Sequence, residues 1–259
     1  MNILGINWEQ NSTASLYANG KILGCISEER FSRVKNDERY PLNAINWLLD
    51  YHKIRPDDLD AVVFVSTMWS PGYILTRHYT NFSVFDYIDE QNKIWKPRLY
   101  ERRHVSQLEV YSDKIDLEQY PGPHFWKNVI QELKGDTAHA SSEESIEYGQ
   151  SIRRNVVVKH LSIDINKIYF ADHSLSHACY AYYTTPIEFR DDKNLVLTID
   201  AFGDNINYSA YLFEKDGALI KEKLICSGSD FIIGRLYRYF TLILGLKPNE
   251  HEYKVMGLA

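Results

Sequence analysis

Apolar and polar residues alternate through the opening of the chain. Ile3 to Asn7, Thr13 to Ala18 and Lys21 to Ser27 each carry the two-residue period of a half-buried strand. Asn19-Gly20, between the second and third, marks a tight hairpin because both residues tolerate positive φ, so the three strands are expected to be antiparallel neighbours. The period then lengthens. Pro41 opens a segment from Leu42 to His52 in which Ala44, Ile45, Leu48 and Leu49 share one face, as in a helix buried along one side. Asp60-Ala-Val-Val-Phe-Val65 is an almost unbroken apolar run, the pattern of a strand covered on both faces. Residues 66–160 lose this rhythm and are rich in Trp, Tyr, Phe and charge. So many aromatic residues argue against disorder, and the region reads as an insertion of helices and loops, with a helix over 143–159.

Order resumes with a strand at 167–171, a helix beginning near His173 and a strand at 194–200. Further strands at 208–214 and 219–226 meet at Lys215-Asp-Gly217, and a helix over 233–244 carries Leu236, Tyr239, Phe240 and Ile243 on its apolar face. Strands, glycine turn, strand, helix therefore occurs at 3–52 and again at about 195–245. Three strands, a helix and a parallel strand open a ribonuclease-H-like unit, and the echo predicts a duplicated, actin-like α/β domain with mixed sheets. In this reading 1–65 begin the first half, 66–160 are inserted, and 161–259 hold the second half, which is expected to stop short of completion.

Twenty-nine basic against thirty-five acidic residues, a net charge of -6, argue against non-specific attachment to nucleic acid. No apolar run approaches the roughly 20 residues of a membrane-spanning helix. Met1-Asn-Ile-Leu-Gly-Ile-Asn-Trp8 lacks the basic and long apolar parts of a secretory signal, so a cytoplasmic protein without membrane partners is expected. Cys25, Cys179 and Cys226, odd in number and far apart, read as reduced, buried thiols.

Candidate chemistry concentrates in Asp172-His-Ser-Leu-Ser-His-Ala-Cys179. Leu175, Ala178, Cys179 and Tyr182 recur at helical spacing, which sets His173 and His177 on one face, a turn apart, where both imidazoles can grip one metal ion. The spacing alone equally fits a capping His173 and a packed His177. Asn194-Leu-Val-Leu-Thr-Ile-Asp200 is an apolar strand ending in a carboxylate, a natural third ligand.

Four segments in order resemble the O-carbamoyltransferases of the NodU/CmcH type. They are Ile3-Leu-Gly-Ile6, Glu28-Glu-Arg-Phe-Ser-Arg-Val-Lys-Asn-Asp-Glu-Arg-Tyr-Pro41, the motif from Asp172 to Ala178, and Glu252-Tyr-Lys-Val-Met-Gly-Leu-Ala259. The resemblance implies an actin-like (ASKHA) fold whose cleft binds an adenylate and a divalent metal, usually Fe(II). It also implies transfer of a carbamoyl group, activated as carbamoyl-adenylate from carbamoyl phosphate and ATP, to an acceptor hydroxyl. Activation would belong to a C-terminal YrdC-like domain expected in the full-length protein. On this sequence the resemblance makes His173, His177 and Asp200 metal ligands, with a further aspartate from beyond residue 259. Lys35 falls where a lysine faces the carbamoyl site and can polarise a carbonyl or hold phosphate, whereas the residues alone read as a solvated charge run from Glu28 to Arg39. Gln10 and Asn11 replace a His-Asp pair at a catalytic position, keeping hydrogen-bonding groups while removing a general base. In the terminal segment, which is similar to a nucleotide-cleft element, Lys254 supplies charge and Gly257 permits backbone approach to phosphate, with Glu252 opening it. Ser174 and Ala201 depart from the family pattern, which has a second His in the metal motif and Asp-Gly at the strand end. Trp69 and Trp95 are candidates for stacking on a sugar acceptor, although aromatic residues in an insertion more often pack its own small core. Two alternatives stand beside this reading: a non-catalytic actin-like nucleotide- or metal-binding module, and another ASKHA phosphotransferase.

Overall fold

Strands β1 (Asn2–Asn7), β2 (Thr13–Ala18) and β3 (Lys21–Ser27) form an antiparallel meander that turns Leu4, Ile6, Ala14, Leu16 and Ala18 inward. The computed structural model describes residues 1–80, 82–103, 105–133, 143–217, 219–248 and 250–258; Ala259, the last residue of the terminal motif, lies outside them. Helix α1 (Leu42–His52) buries Ala44, Ile45, Leu48 and Leu49 against this sheet and stops where Lys53 turns left-handed, at φ 54°. Gly24 in β3 makes room for it, since a Cβ there would stand 2.9 Å from a Leu48 methyl. β4 (Ala61–Phe64) then pairs parallel to β1, and β5 (Ile168–Phe170) parallel to β4. The resulting order, β3-β2-β1-β4-β5, is the mixed sheet that the ribonuclease-H-like reading requires.

Helices α2 (Pro71–His78), α3 (Pro123–Glu132) and α4 (Glu143–Leu161) come from the aromatic-rich region and share the core of the first sheet. Trp8, Tyr40, Trp69, Tyr79 and Trp126 meet there in tilted and edge-on pairs, an arrangement aromatic quadrupoles favour. Trp69 is buried and its Nε1 donates to the Trp8 carbonyl at 3.3 Å, so the sugar-stacking role expected of Trp69 is corrected to a core role. Trp95 packs on a satellite cluster of Phe82, Ile94 and Tyr111.

The second sheet is antiparallel, in the order β6-β7-β8, from β6 (Lys193–Gly203), β7 (Ile206–Asp216) and β8 (Leu219–Gly228). Helix α5 (His173–Thr184) covers one face of it, with Ala178 and Tyr182 against Tyr211 and Phe213. Helices α6 (Ile233–Ile243) and α7 (Glu252–Leu258) follow, and the terminal motif is thus helical. The three cysteines are unpaired, but Cys25 and Cys226 are exposed on the edge strands β3 and β8 instead of buried. No helix among the described residues is long and apolar enough to cross a membrane.

Candidate metal centre

Asp172, and not His173, caps α5: its carboxylate accepts the Leu175 N–H at 2.7 Å. His173 is consequently the first helical residue and His177 lies one turn on. Ser174 faces the opposite way, buried, and its hydroxyl meets those of Thr198 on β6 and Ser209 on β7, themselves 2.5 Å apart. This hydroxyl cluster fixes the rotation of the helix against the sheet and gives the departure at Ser174 a physical role. With Ser174, Ala178 and Tyr182 inward, His173 and His177 project toward the end of β6.

There Asp200 meets them. His173 Nε2 is 2.7 Å from Asp200 Oδ2 and 3.1 Å from His177 Nε2, and His177 Nε2 is 3.6 Å from the same carboxylate oxygen. Ligand atoms held about 2.0–2.2 Å from one ion stand roughly 3–3.6 Å from each other; the 3.1 and 3.6 Å separations lie in that range, while the 2.7 Å His173–Asp200 hydrogen bond would have to open by a few tenths of an ångström for the three to hold a single divalent cation. Among the described residues these three form the group of His, Cys, Asp and Glu side chains with metal-binding geometry, all ligand atoms lying within 4.8 Å of one another. The His173 hydrogen bond, with His177 beside it, holds the Asp200 carboxyl far below the usual carboxylate range. Burial opposes a charged ring at His173, but the Asp200 hydrogen bond and the charges of Glu9, Asp200 and Asp204 outweigh it and raise the pKa. The pocket therefore favours positive charge, which a metal ion supplies in place of a proton.

Glu9, which sequence reasoning passed over, and Gly203 and Asp204, which it read only as a differently arranged turn after Asp200, build the surroundings. Asp204 accepts the backbone N–H of His173 at 2.9 Å, of Thr67 at 2.9 Å and of Met68 at 2.8 Å, tying the start of α5 and the loop after β4 to the β6–β7 turn. Asp204 and Asn205, at φ 47° and 64°, make that turn between the paired residues Gly203 and Ile206, a two-residue hairpin of the type both residues tolerate. Gly203 lies under the His173 ring, where a Cβ would stand 2.2 Å from Cδ2. Glu9, in the β1–β2 turn, brings Oε2 to 3.7 Å from His173 Nδ1. A Gly-Asp-Asn run between two alternating segments was the one available sequence signal. Beneath the site, buried Arg153 donates to the Ser66 and Thr67 carbonyls, at 2.8 Å each, and stacks on Phe170. Burial pushes its pKa down to about 9, against the pull of Glu9 and Asp204.

Over residues 2–259 the chain matches the family described as Carbamoyltransferase N-terminus. It belongs to that family. The chain spans less than half the length of the relatives it matches. It is 28% identical to MJ1058 of Methanocaldococcus jannaschii, over 99% of this chain and 42% of that protein. It is 33% identical to MJ1051 of the same organism, over 99% of this chain and 33% of that one. The nodulation protein NolNO of Sinorhizobium fredii is 26% identical over 96% of this chain, which spans 27% of its length. Among solved structures, YeaZ from Pseudomonas aeruginosa aligns over 86% of this chain and 66% of its own at a TM-score of 0.36 and 8% identity, a likeness too slight to add to the strand order itself.

The remaining candidates of this carbamoyltransferase domain fall into two groups. Lys35, in an exposed turn, places Nζ 5.2 Å from the Tyr253 ring centroid, and Lys254 Nζ is 5.9 Å from the same ring, so both cations flank one aromatic side chain. Glu252 starts α7, and Gly257 lies within that helix with open space where a Cβ would be, so no close approach is visible around it. Gln10 and Asn11 stand in the β1–β2 turn beside Glu9. Asn11 has φ 58°, and Asn7 Nδ2 donates to the Gln10 carbonyl at 3.2 Å, so both shape the turn through their backbones.

Proposed function

We propose that this domain passes an activated carbamoyl group to the hydroxyl of a small-molecule acceptor in the cytoplasm. The donor is carbamoyl-adenylate, made from carbamoyl phosphate and ATP by a C-terminal YrdC-like domain of the full-length protein. Convergence of His173, His177 and Asp200 on one point carries this reading, together with family membership. His173, His177 and Asp200 would hold a divalent metal there, Fe(II) first among candidates, which would supply positive charge against the oxyanion that grows at the carbamoyl or phosphate oxygens. The protein's own residues do the rest. The two imidazoles and the Asp200 carboxylate fix where that charge sits. Lys35, beside Tyr253 and Lys254, offers an ammonium to the phosphate or carbonyl oxygen of the adenylate. Gln10 and Asn11 provide amides that orient the acceptor. As its oxygen bonds to the carbamoyl carbon, the carbon–oxygen bond to AMP breaks and the hydroxyl proton passes to the departing phosphate or to solvent.

Purified full-length protein should release pyrophosphate from ATP only with carbamoyl phosphate present, and should carbamoylate an acceptor only with His173 and His177 intact. A second reading, a non-catalytic actin-like module, is favoured by the absence of an ionisable side chain at positions 10 and 11. A His173→Ala/His177→Ala protein that loses its metal yet keeps full biological function decides for that module. ATP-dependent phosphorylation of an acceptor without pyrophosphate release decides for an ASKHA phosphotransferase.

A further inference from the structure

We infer that Glu9 is a positioning residue of the metal centre: its carboxylate receives the Nδ1–H of His173 and so holds the ring with Nε2 turned toward His177 and Asp200. This rests on the metal reading above. His173 Nε2 faces Asp200 Oδ2 at 2.7 Å and His177 Nε2 at 3.1 Å, so Nε2 is the metal-side atom. A neutral ring that ligates through Nε2 carries its proton on Nδ1, and metal-ligating histidines pass that proton's hydrogen bond to a carboxylate or carbonyl. Yet His173 Nδ1 is buried and has no hydrogen-bond partner among the described residues. Glu9 Oε2 stands 3.7 Å away, on the far side of the ring from Asp200. A charge-assisted bond of about 2.8 Å needs a closure of less than about 1 Å.

The surroundings hold the ring and the Glu9 turn in place on both sides of this contact. Gly203 lies against the ring where any Cβ would collide, and Asp204 already takes the His173 backbone N–H. The Glu9 backbone is held in its turn as well, its carbonyl accepting the Ser12 hydroxyl at 3.2 Å while Asn7 braces Gln10. Glu9 is only a quarter exposed, and its charge also favours the protonated form of the buried Arg153. The carboxylate therefore faces the back of the first ligand, with Arg153 near enough to feel its charge. It directly precedes the two positions where the resemblance places a His-Asp pair, which is why the sequence drew attention to its neighbours instead.

Zn(II) serves as a diamagnetic probe. Its affinity is measured by chelator competition for the intact protein and for Glu9→Ala and Glu9→Gln, and the His173 ring is followed by 15N-edited NMR of the Zn(II)-loaded forms. Glu9→Ala should weaken binding about 10–100-fold, the usual cost of losing such a partner, while Glu9→Gln, whose amide oxygen still accepts the bond, loses less. The loaded protein should show a slowly exchanging Nδ1–H at His173 that shifts upfield and exchanges faster in Glu9→Ala, a signature that general loosening of the turn does not produce at one ring alone. A Glu9→Ala protein that binds Zn(II) within about twofold of the parent, or a loaded parent with no proton on His173 Nδ1, overturns the inference while leaving the metal site standing. A parent that takes up no Zn(II), or a His173→Ala protein that binds it equally well, overturns the metal reading and this inference with it.

Discussion

The two sheets begin alike and end differently. In the first, α1 seals β1–β3 with Ala44, Ile45, Leu48 and Leu49 at 4% exposure or less, and β4 pairs with the free edge of β1. In the second, the corresponding helix α6 leaves Leu236, Tyr239, Phe240 and Ile243 between 49% and 77% exposed, and Leu195, Leu197 and Ile199 on β6 are all above 60%. No strand pairs with the free edge of β6 among the described residues. Equal patterns have met unequal partners: periodicity specifies an element and the face it wants to bury, whereas burial needs a second surface to arrive. His173, His177 and Asp200 sit on the face of β6 and β7 that α5 does cover, so these candidate ligands have a packed support that the other face lacks.

The largest test of this contrast is a matched pair of truncations. Leu48→Ala in α1 should cost about 2–5 kcal/mol in urea unfolding, the range for a buried leucine, whereas Ile243→Ala in α6 should stay within about 0.5 kcal/mol. Equal losses would mean that α6 is covered in solution, and the comparison would fall. Next in size is Gly203→Ala. The added methyl cannot coexist with the His173 ring, so the ring or the β6–β7 turn must move, at about 1–3 kcal/mol of stability. Divalent metal affinity should fall with it, checked by titration; unchanged affinity would show that the ring has room the geometry denies.

These outcomes bear on what was legible in the sequence. Helix α1 is found from Leu42 to His52, as its 3.6-residue period requires, because four large apolar side chains at that spacing have one way to be buried. His173, His177 and Asp200 were readable for a similar reason: the first two by helical spacing, the third as a carboxylate ending an apolar strand. Asp204, Gly203 and Glu9 were not. Glu9 acts because the β1–β2 turn meets the start of α5, more than 160 residues away in sequence, and Gly203 and Asp204 because the β6–β7 turn meets the start of α5 and the loop after β4; no periodicity records such meetings. For Trp69 the choice between core packing and sugar stacking stayed open because an aromatic residue in a stretch without regular rhythm carries no sign of its burial, and α7 went unread as a helix because seven residues ending in Gly-Leu give little helical period to read.

A smaller effect separates the sealed half by its response to acid. Burial pushes His160 down to about 4, with its ring nitrogens engaged by Tyr40 at 3.0 Å and Asn46 at 2.8 Å. An unfolded histidine at 6.5 binds protons that the folded one refuses, so this contribution is fully present above pH 6.5 and is lost as pH falls toward 4, by about 2 kcal/mol once solvent screening of the partly exposed ring is allowed for. His78 and Glu38, 3.7 Å apart, should add little. Burial moves His78 from 6.5 to about 4 and Glu38 from 4.5 to about 7, so near pH 5.5 the pair holds about one proton whether folded or not. His160→Gln should flatten the decline between pH 6.5 and 4 in urea unfolding; a slope that survives it would place the acid sensitivity elsewhere.

The smallest effect probes the open half. Gly257 is helical with nothing within 4 Å of its absent Cβ, so Gly257→Ala should raise stability by up to about 1 kcal/mol through the better helix former and the stiffer unfolded chain. ATP affinity, measured on the same variant of the full-length protein, then divides two meanings of the glycine. A gain in stability with unchanged affinity makes α7 an ordinary helix that happens to end on Gly-Leu. A gain in stability accompanied by weaker ATP binding means that a phosphate comes close to the backbone there once ligand is bound, and that the open half, loose where α6 is bare, tightens around the nucleotide.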